Sequence, residues 1–173
     1  MTTMIRMKEI GMLQATELPS MRGSQLDELF AAAPAGSIPV GVGRGQALIA
    51  SGTFAARPMV AFVRLLAWRG KDFDSQGRTL RNVISPFGVR AIKADVYIDA
   101  SRLDGRPCIV LDYSKTSRVA GWIRDEIREV APGLYVGLVF VRSRRAPLHF
   151  ALQFDGASSN EHYERITESA SSH

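Results

Sequence analysis

The stretch LYVGLVFVRSRRAPLHFALQF, residues 134–154, decides the fold because it has the pattern of a β-hairpin. Two apolar arms flank a basic tip, RSRR at 142–145. In the second arm, large Leu and Phe side chains alternate with a face made of His149, Ala151 and Gln153. This period of two predicts a sheet with one apolar face.

The segments that precede the hairpin extend the sheet. AIKADVYI (91–98) and CIVLDY (108–113) have strand character, and IRDEIREV (123–130) is predicted as a strand after a short helical turn at 117–121. Nearer the N-terminus, the glycine-rich run GSIPVGVGRGQALIASG (36–52) favours a bent first strand over a helix.

Two short helices are predicted in the N-terminal half. The first begins at Ser24, a good N-cap, and stops at Pro34. The second, RPMVAFVRLLAW at 57–68, has apolar residues at helical spacing. Two helices followed by antiparallel strands predict a mainly β fold, in which the sheet curls into a barrel that can hold a small ligand. The barrel domain is predicted at 23–155, between a flexible arm (1–22) and a flexible polar tail (156–173).

Composition and net charge limit the binding partners and the cellular location that the sequence predicts. The net charge of +5 is modest and dispersed, which argues against nucleic acid. The N-terminus has no apolar leader and no run is long enough to span a membrane. A single cysteine, Cys108, fits a reducing compartment, so a cytoplasmic protein is expected. A homodimer is left open.

The order of segments resembles the small bacterial lipocalin-like (calycin) barrel domains of the GXWXG type. The phrases that carry the resemblance are LDELFAAAP (26–34), GVGRG (41–45) and WRGKDF (68–73), followed by Asp125, Arg128 and the closing PLHFALQF. The resemblance implies that WRGKDF ends the amphipathic second helix. Gly43 stands at the position of the family's tryptophan. The resemblance implies a barrel and a cavity, and no particular reaction.

Several familiar catalytic motifs are absent. GVGRG is neither a dinucleotide-binding fingerprint nor a Walker loop, and there is no serine nucleophile elbow. Tyr113 and Lys115 are two residues apart, not the four that a dehydrogenase pair needs. Two of the three histidines lie in the tail, which argues against a histidine-rich metal site. No metal and no cofactor are therefore expected, with haem bound by His149 as the alternative.

The candidate site residues raise one question, which is whether they face the inside of the barrel. His149 is either a structural histidine or a proton shuttle. Asp112 and Tyr113 end a strand, where Arg124 or Arg128 can pair with the carboxylate or share in gripping a ligand. Opposite charges on both faces of RDEIR (124–128) place some of them at the cavity or its rim.

These observations predict a protein that binds an apolar or aromatic small molecule. Its predicted polar contacts are Arg124, Arg128, Tyr135, His149 and Asp112. The alternative is a metal-independent isomerase, lyase or cyclase. In that case Asp112 or His149 is the general base, and Tyr113 or an arginine stabilises an oxyanion. A third class, an interaction module that uses the RSRR tip, predicts salt-sensitive binding to nucleic acid.

Overall fold

The computed structural model describes residues 13–48, 68–84, 89–118 and 120–155. A 3-10 turn at Leu18–Ser20 precedes helix α1, Gly23–Ala32. The strands are β1 Gly41–Leu48, β2 Trp68–Phe73, β3 Thr79–Ile84, β4 Val89–Ala100, β5 Pro107–Asp112, β6 Ile123–Ala131, β7 Leu134–Val141 and β8 Arg144–Phe154.

The eight strands form one closed barrel in which each strand pairs with its neighbour in sequence. Every pair is antiparallel, and β8 pairs with β1 to close the ring. The predicted mainly β barrel is confirmed. Among the eight described strands, closure gives each one a hydrogen-bonded neighbour on both sides, so none of them is an edge strand.

The alternation of each strand separates an interior from an outer face. The interior side chains form one apolar cluster that includes Leu148, Phe150, Leu152 and Phe154 of β8. Helix α1 lies on the outer face, where Leu26 and Leu29 pack against Val130, Val136 and Ala151. Because α1 covers the outside of the sheet, outward-facing residues of β6, β7 and β8 are buried as well.

The two ends of the barrel differ. We call the end at Gly41, Phe73, Leu134 and Phe154 the lower end, and the end at Leu48, Trp68, Ile84, Ile123 and Val141 the upper end. The segment before β1 plugs the lower end, since Ile38 packs against the interior cluster and Tyr135 Oη donates a hydrogen bond of 2.7 Å to Ser37 O. Edge-to-face contacts between Phe154 and both Phe73 and Tyr135, at 5.6 Å, fill the same end.

Several local expectations were wrong. WRGKDF forms strand β2 and not the end of a helix, and β3 was not predicted. The rest of the predicted second helix, 57–67, lies outside the described residues. Helix α1 begins at Gly23 with Arg22 as N-cap, and the described residues within 117–121 form turns or irregular structure where a helical turn was predicted.

The predictions for the N-terminal arm and the C-terminal tail are compared with the structure separately. Leu18, in the arm predicted as flexible, is fully buried in the cluster beneath α1. The predicted tail, 156–173, lies outside the described residues. Among the described residues, no helix has the length and hydrophobicity that a membrane span requires.

Candidate functional site

Four polar side chains meet inside the upper half of the barrel. Lys71 comes from β2, Asn82 from β3 and Asp125 from β6, and Tyr113 follows the last residue of β5. We call these four residues the Lys71 cluster. In sequence each lies within three residues of the upper end of its strand, so the barrel closure brings four separate segments to one level.

The ammonium group of Lys71 is the centre of the cluster. Its Nζ lies 2.5 Å from Tyr113 Oη, 2.9 Å from Asp125 Oδ2 and 3.0 Å from Asn82 Oδ1. Three partners match the three protons that an ammonium group can donate. The residue is only 3% exposed, so the charge is removed from water and depends on these partners.

The remaining bonds connect the partners to one another. Tyr113 Oη donates to Asp125 Oδ2 at 3.2 Å and accepts from Asn82 Nδ2 at 3.2 Å. Asn82 Nδ2 also donates to Ile92 O at 3.1 Å, and Asn82 Oδ1 accepts from Trp68 Nε1 at 3.2 Å. The asparagine is therefore held in one orientation and fixes the position of the lysine.

Charge and burial set the protonation of the cluster. Burial by itself lowers the pKa of Lys71, but the Asp125 carboxylate and the hydrogen bonds outweigh it and raise that pKa above its ordinary value. Burial raises the pKa of Tyr113 to about 12, although the lysine charge acts in the opposite direction. At neutral pH the cluster thus holds an ammonium group and a neutral phenol, both hydrogen-bond donors to oxygen.

Aromatic rings surround the ammonium group. Nζ lies 5.2 Å from the ring centre of Tyr113, 5.3 Å from that of Phe150 and 5.6 Å from that of Trp68. Two glycines make room for these rings. An added Cβ would lie 2.4 Å from the Trp68 ring at Gly45 and 2.2 Å from the Phe150 ring at Gly137.

A strained residue lies next to the cluster. Ile92 has φ of +56°, a left-handed conformation that is unfavourable for a β-branched side chain. It occupies an irregularity in the β3–β4 pairing, where Lys93 pairs with Arg81 and Ala91 with Asn82. Because the bulge turns the Ile92 carbonyl towards Asn82, the strain helps to hold the cluster in place.

The predicted site residues are distributed between the two faces. Tyr113 belongs to the Lys71 cluster, and Tyr135 faces the interior at the plugged lower end. Asp112 does not face the interior. Its carboxylate accepts hydrogen bonds from Tyr97 Oη at 3.0 Å and from the Ser114 backbone N–H at 2.8 Å.

The prediction that Arg124 and Arg128 line the cavity is wrong. Both lie on the outer face of β6, where the turn between β4 and β5 folds over the sheet. Arg128 is fully buried and bonded to both carboxylate oxygens of Asp104 at 2.7 Å. Arg124 Nε donates to Glu126 Oε1 at 2.9 Å. These charges fasten the turn and helix α1 to the barrel.

His149 also lies outside the barrel, against α1, so neither a proton shuttle nor a haem ligand in the interior is supported. Its Nε2 is 2.7 Å from Asp27 Oδ1 and 2.9 Å from Arg145 Nη2. The inward face of β8 is the Leu and Phe face instead. Within the described part of the chain, no group of three potential metal-binding side chains was found.

Sequence reasoning missed Lys71 and Asn82 as site residues, whereas Asp125 belongs to the RDEIR run, of which some members were expected at the cavity or its rim. A signal was present in WRGKDF, where alternation places Lys71 and Phe73 on one side of a strand. Both side chains are in fact buried in the interior. Treating that phrase as the end of a helix concealed the lysine.

Comparison with known proteins supports the fold alone. No family model and no curated protein matches the chain. A solved structure described as "Crystal structure of protein from Thermomonospora curvata" is similar, with a TM-score of 0.62 and 20% sequence identity, over 82% of this chain and 95% of that chain. At this identity the likeness concerns the barrel architecture.

Proposed function

We propose that the barrel binds a small, largely apolar molecule through one oxygen atom that reaches the Lys71 cluster from the upper end. The observation that carries this proposal is the buried ammonium group, 3% exposed and ringed by three aromatic side chains. Ligand pockets are mostly apolar with a few placed polar groups, which is the composition found at this level of the barrel.

Stability alone does not require the cluster. A buried ion pair is often no better for stability than apolar side chains of the same volume, because both charges lose their hydration. The lower half of the interior is packed with side chains, as the Phe73, Tyr135 and Phe154 contacts illustrate. The ligand's place is therefore above Lys71, where its oxygen exchanges with a present partner of the ammonium group.

The proposal extends to the type of barrel and its location. An eight-stranded antiparallel ring with neighbouring strands in sequence order is the arrangement of lipocalin-like barrels, which supports that assignment. The free, buried thiol of Cys108 is consistent with a reducing cytoplasm.

Fluorescence titration with prodan, a neutral naphthyl ketone, tests the binding function. A hydrogen bond to a charged donor contributes about 1.5–3 kcal/mol, so Lys71→Met should weaken binding about 10- to 100-fold. Lys93→Met is the matched control, because Lys93 is exposed on β4. The double variant Lys71→Met with Asp125→Asn removes both charges of the pair, so it repeats the test in a protein that has no unpaired charge at this position. Unchanged affinity in both Lys71 variants, or no binding to wild type, would reject the function.

A second candidate function is metal-independent isomerase, lyase or cyclase chemistry on a carbonyl substrate. The bases predicted from sequence, Asp112 and His149, face outwards, but Asp125 lies beside the Lys71 and Tyr113 donors. Its carboxylate would take a proton from the carbon next to the carbonyl. The C–H electron pair would then form the enolate, whose oxygen the two donors stabilise. In a β,γ-unsaturated carbonyl substrate this enolate is a dienolate, and return of the proton to the γ-carbon moves the double bond into conjugation and completes an isomerisation.

Deuterium exchange tests this chemistry without knowledge of the natural substrate. In D₂O, wild-type protein should accelerate exchange at the propionyl CH₂ of prodan, and Asp125→Asn should abolish the acceleration. NMR follows the exchange directly. If bound prodan exchanges its protons no faster than prodan in buffer, the enzymatic function is rejected and the binding function is retained.

A further inference from the structure

A basic groove lies at the upper end, beside the hairpin that joins β7 and β8. It has a volume of about 890 Å³ and is lined by Trp122 and residues 141–147. Three of these residues are arginines, Arg142, Arg144 and Arg145, and none is acidic. Such a surface favours negatively charged groups.

Two of the three arginines are available to a ligand. Arg142 and Arg144 are exposed, and neither forms a salt bridge with any described residue. Arg145 differs, because its Nη2 pairs with Asp27 Oδ1 at 3.0 Å and its Nη1 donates to Leu148 O at 3.1 Å. The groove therefore keeps two positive charges that no acidic side chain of the described residues neutralises.

The floor of the groove joins the interior of the barrel. Ala146 and Val141 line the groove, and both pack in or against the interior cluster. Across the β6–β7 pair, Val141 lies opposite Ile123, and Val139 lies opposite Asp125. Two residues along a strand correspond to about 7 Å, so the groove begins about one layer above the Lys71 cluster.

We propose that this groove holds an anionic group of the ligand, a carboxylate, sulfonate or phosphate, while the apolar part enters the barrel. The inference rests on the proposed binding function and adds a ligand class, the amphipathic anion. Guanidinium groups suit such oxyanions because their N–H donors match the geometry of two anionic oxygens. Trp122, which is 45% exposed, lines the same groove and supplies apolar surface beside the arginines.

Two fluorescent probes with the same aromatic frame test the proposal. N-phenyl-1-naphthylamine is neutral, and 8-anilino-1-naphthalenesulfonate adds one sulfonate. In Arg142→Gln with Arg144→Gln, we expect the sulfonate probe to bind about 2- to 25-fold more weakly in low salt, since each exposed charge pair contributes about 1.4- to 5-fold. The neutral probe should change less than about twofold.

The control removes the same charge elsewhere. Arg69→Gln with Arg81→Gln changes two exposed arginines on β2 and β3 and should leave both probes unaffected. Glutamine at 142 keeps an unbranched side chain, so the strain of its φ of +57° is the same in variant and wild type. Equal thermal unfolding midpoints would confirm that the variants are folded.

Each other outcome has a distinct meaning. Equal weakening of both probes, or an unchanged sulfonate probe, overturns the groove assignment and leaves the binding function standing. A single-stranded oligonucleotide that loses affinity in the hairpin variant, with the sulfonate probe unaffected, identifies a nucleic-acid surface and also overturns it. If wild type binds neither aromatic probe, the proposed function itself fails.

Discussion

Removing both charges of the Lys71–Asp125 pair should leave the protein about as stable as wild type, whereas removing either one should not. Nζ and Oδ2 are 2.9 Å apart, and the side chains are 4% and 8% exposed. In Lys71→Met with Asp125→Asn, each remaining polar group keeps a partner. Tyr113 can donate to the new amide oxygen, and Asn82 still bonds to Trp68 and Tyr113.

The magnitudes follow from the distance and the burial. At 2.9 Å the attraction is about 6 kcal/mol for an effective dielectric constant of about 20. The loss of hydration costs several kcal/mol for each ion, so the two contributions nearly cancel. Either single substitution leaves one charge buried without its partner and should lower the free energy of unfolding by about 3–5 kcal/mol. The double variant should lie within about 1.5 kcal/mol of wild type.

Urea unfolding followed by circular dichroism measures all four proteins of this double-mutant cycle. Equal m-values would show that the variants unfold from similarly compact states. The same samples are then titrated with prodan, for which the double variant should have lost most of its affinity. If the double variant is destabilised by 3 kcal/mol or more, the cluster is an element of stability and the reasoning that assigns it to ligand binding is refuted.

Other measurements address groups outside this pair. Between about pH 9 and 12 the free energy of unfolding should fall, because burial raises the pKa of the Cys108 thiol from 9.0 to about 12 and that of Tyr113 from 10.0 to about 12. The unfolded chain loses these protons first. Cys108→Ala should therefore reduce the slope of the unfolding free energy against pH, measured by urea titrations at several pH values, and an identical slope would contradict the thiol's contribution. Arg128→Met should lower the free energy of unfolding by about 3–5 kcal/mol without changing the affinity for prodan. A loss of prodan affinity without a loss of stability would instead show that Arg128 is part of the ligand site. Added hemin should give the same Soret spectrum with wild type and His149→Ala, because the imidazole contacts Asp27 on the outer face.

Sequence patterns predicted the second half of the barrel better than the first. In β8, alternation between large apolar and smaller or polar residues over 148–154 is unambiguous, and the strand is found there. In β2 the six residues Trp68–Phe73 carry charge, glycine and aromatic side chains together. A strand with that composition is stabilised by cross-strand contacts such as Trp68 over Gly45, which no local pattern reveals.

The candidate site was harder to predict because alternation identifies two faces without saying which is inside. On β6, Asp125 and Ile127 face the interior, whereas Glu126 and Arg128 face outwards. All four are buried, since α1 and the turn between β4 and β5 cover the outer face. A buried charged residue can thus lie beneath a covering element as well as in a cavity.

The partners of a buried charge distinguish these two cases. Arg128 donates to the backbone oxygens of Phe30, Arg106 and Pro107, so its removal would release the main chain of α1 and of the adjacent turn. Lys71 is different, because its three hydrogen-bond partners are all side chains. Side chains can change rotamer and accept a ligand oxygen in exchange while the strands keep their pairing. A buried cation that is held in this way is suited to reversible binding, and for this reason we place the ligand at Lys71 rather than at the more deeply buried Arg128.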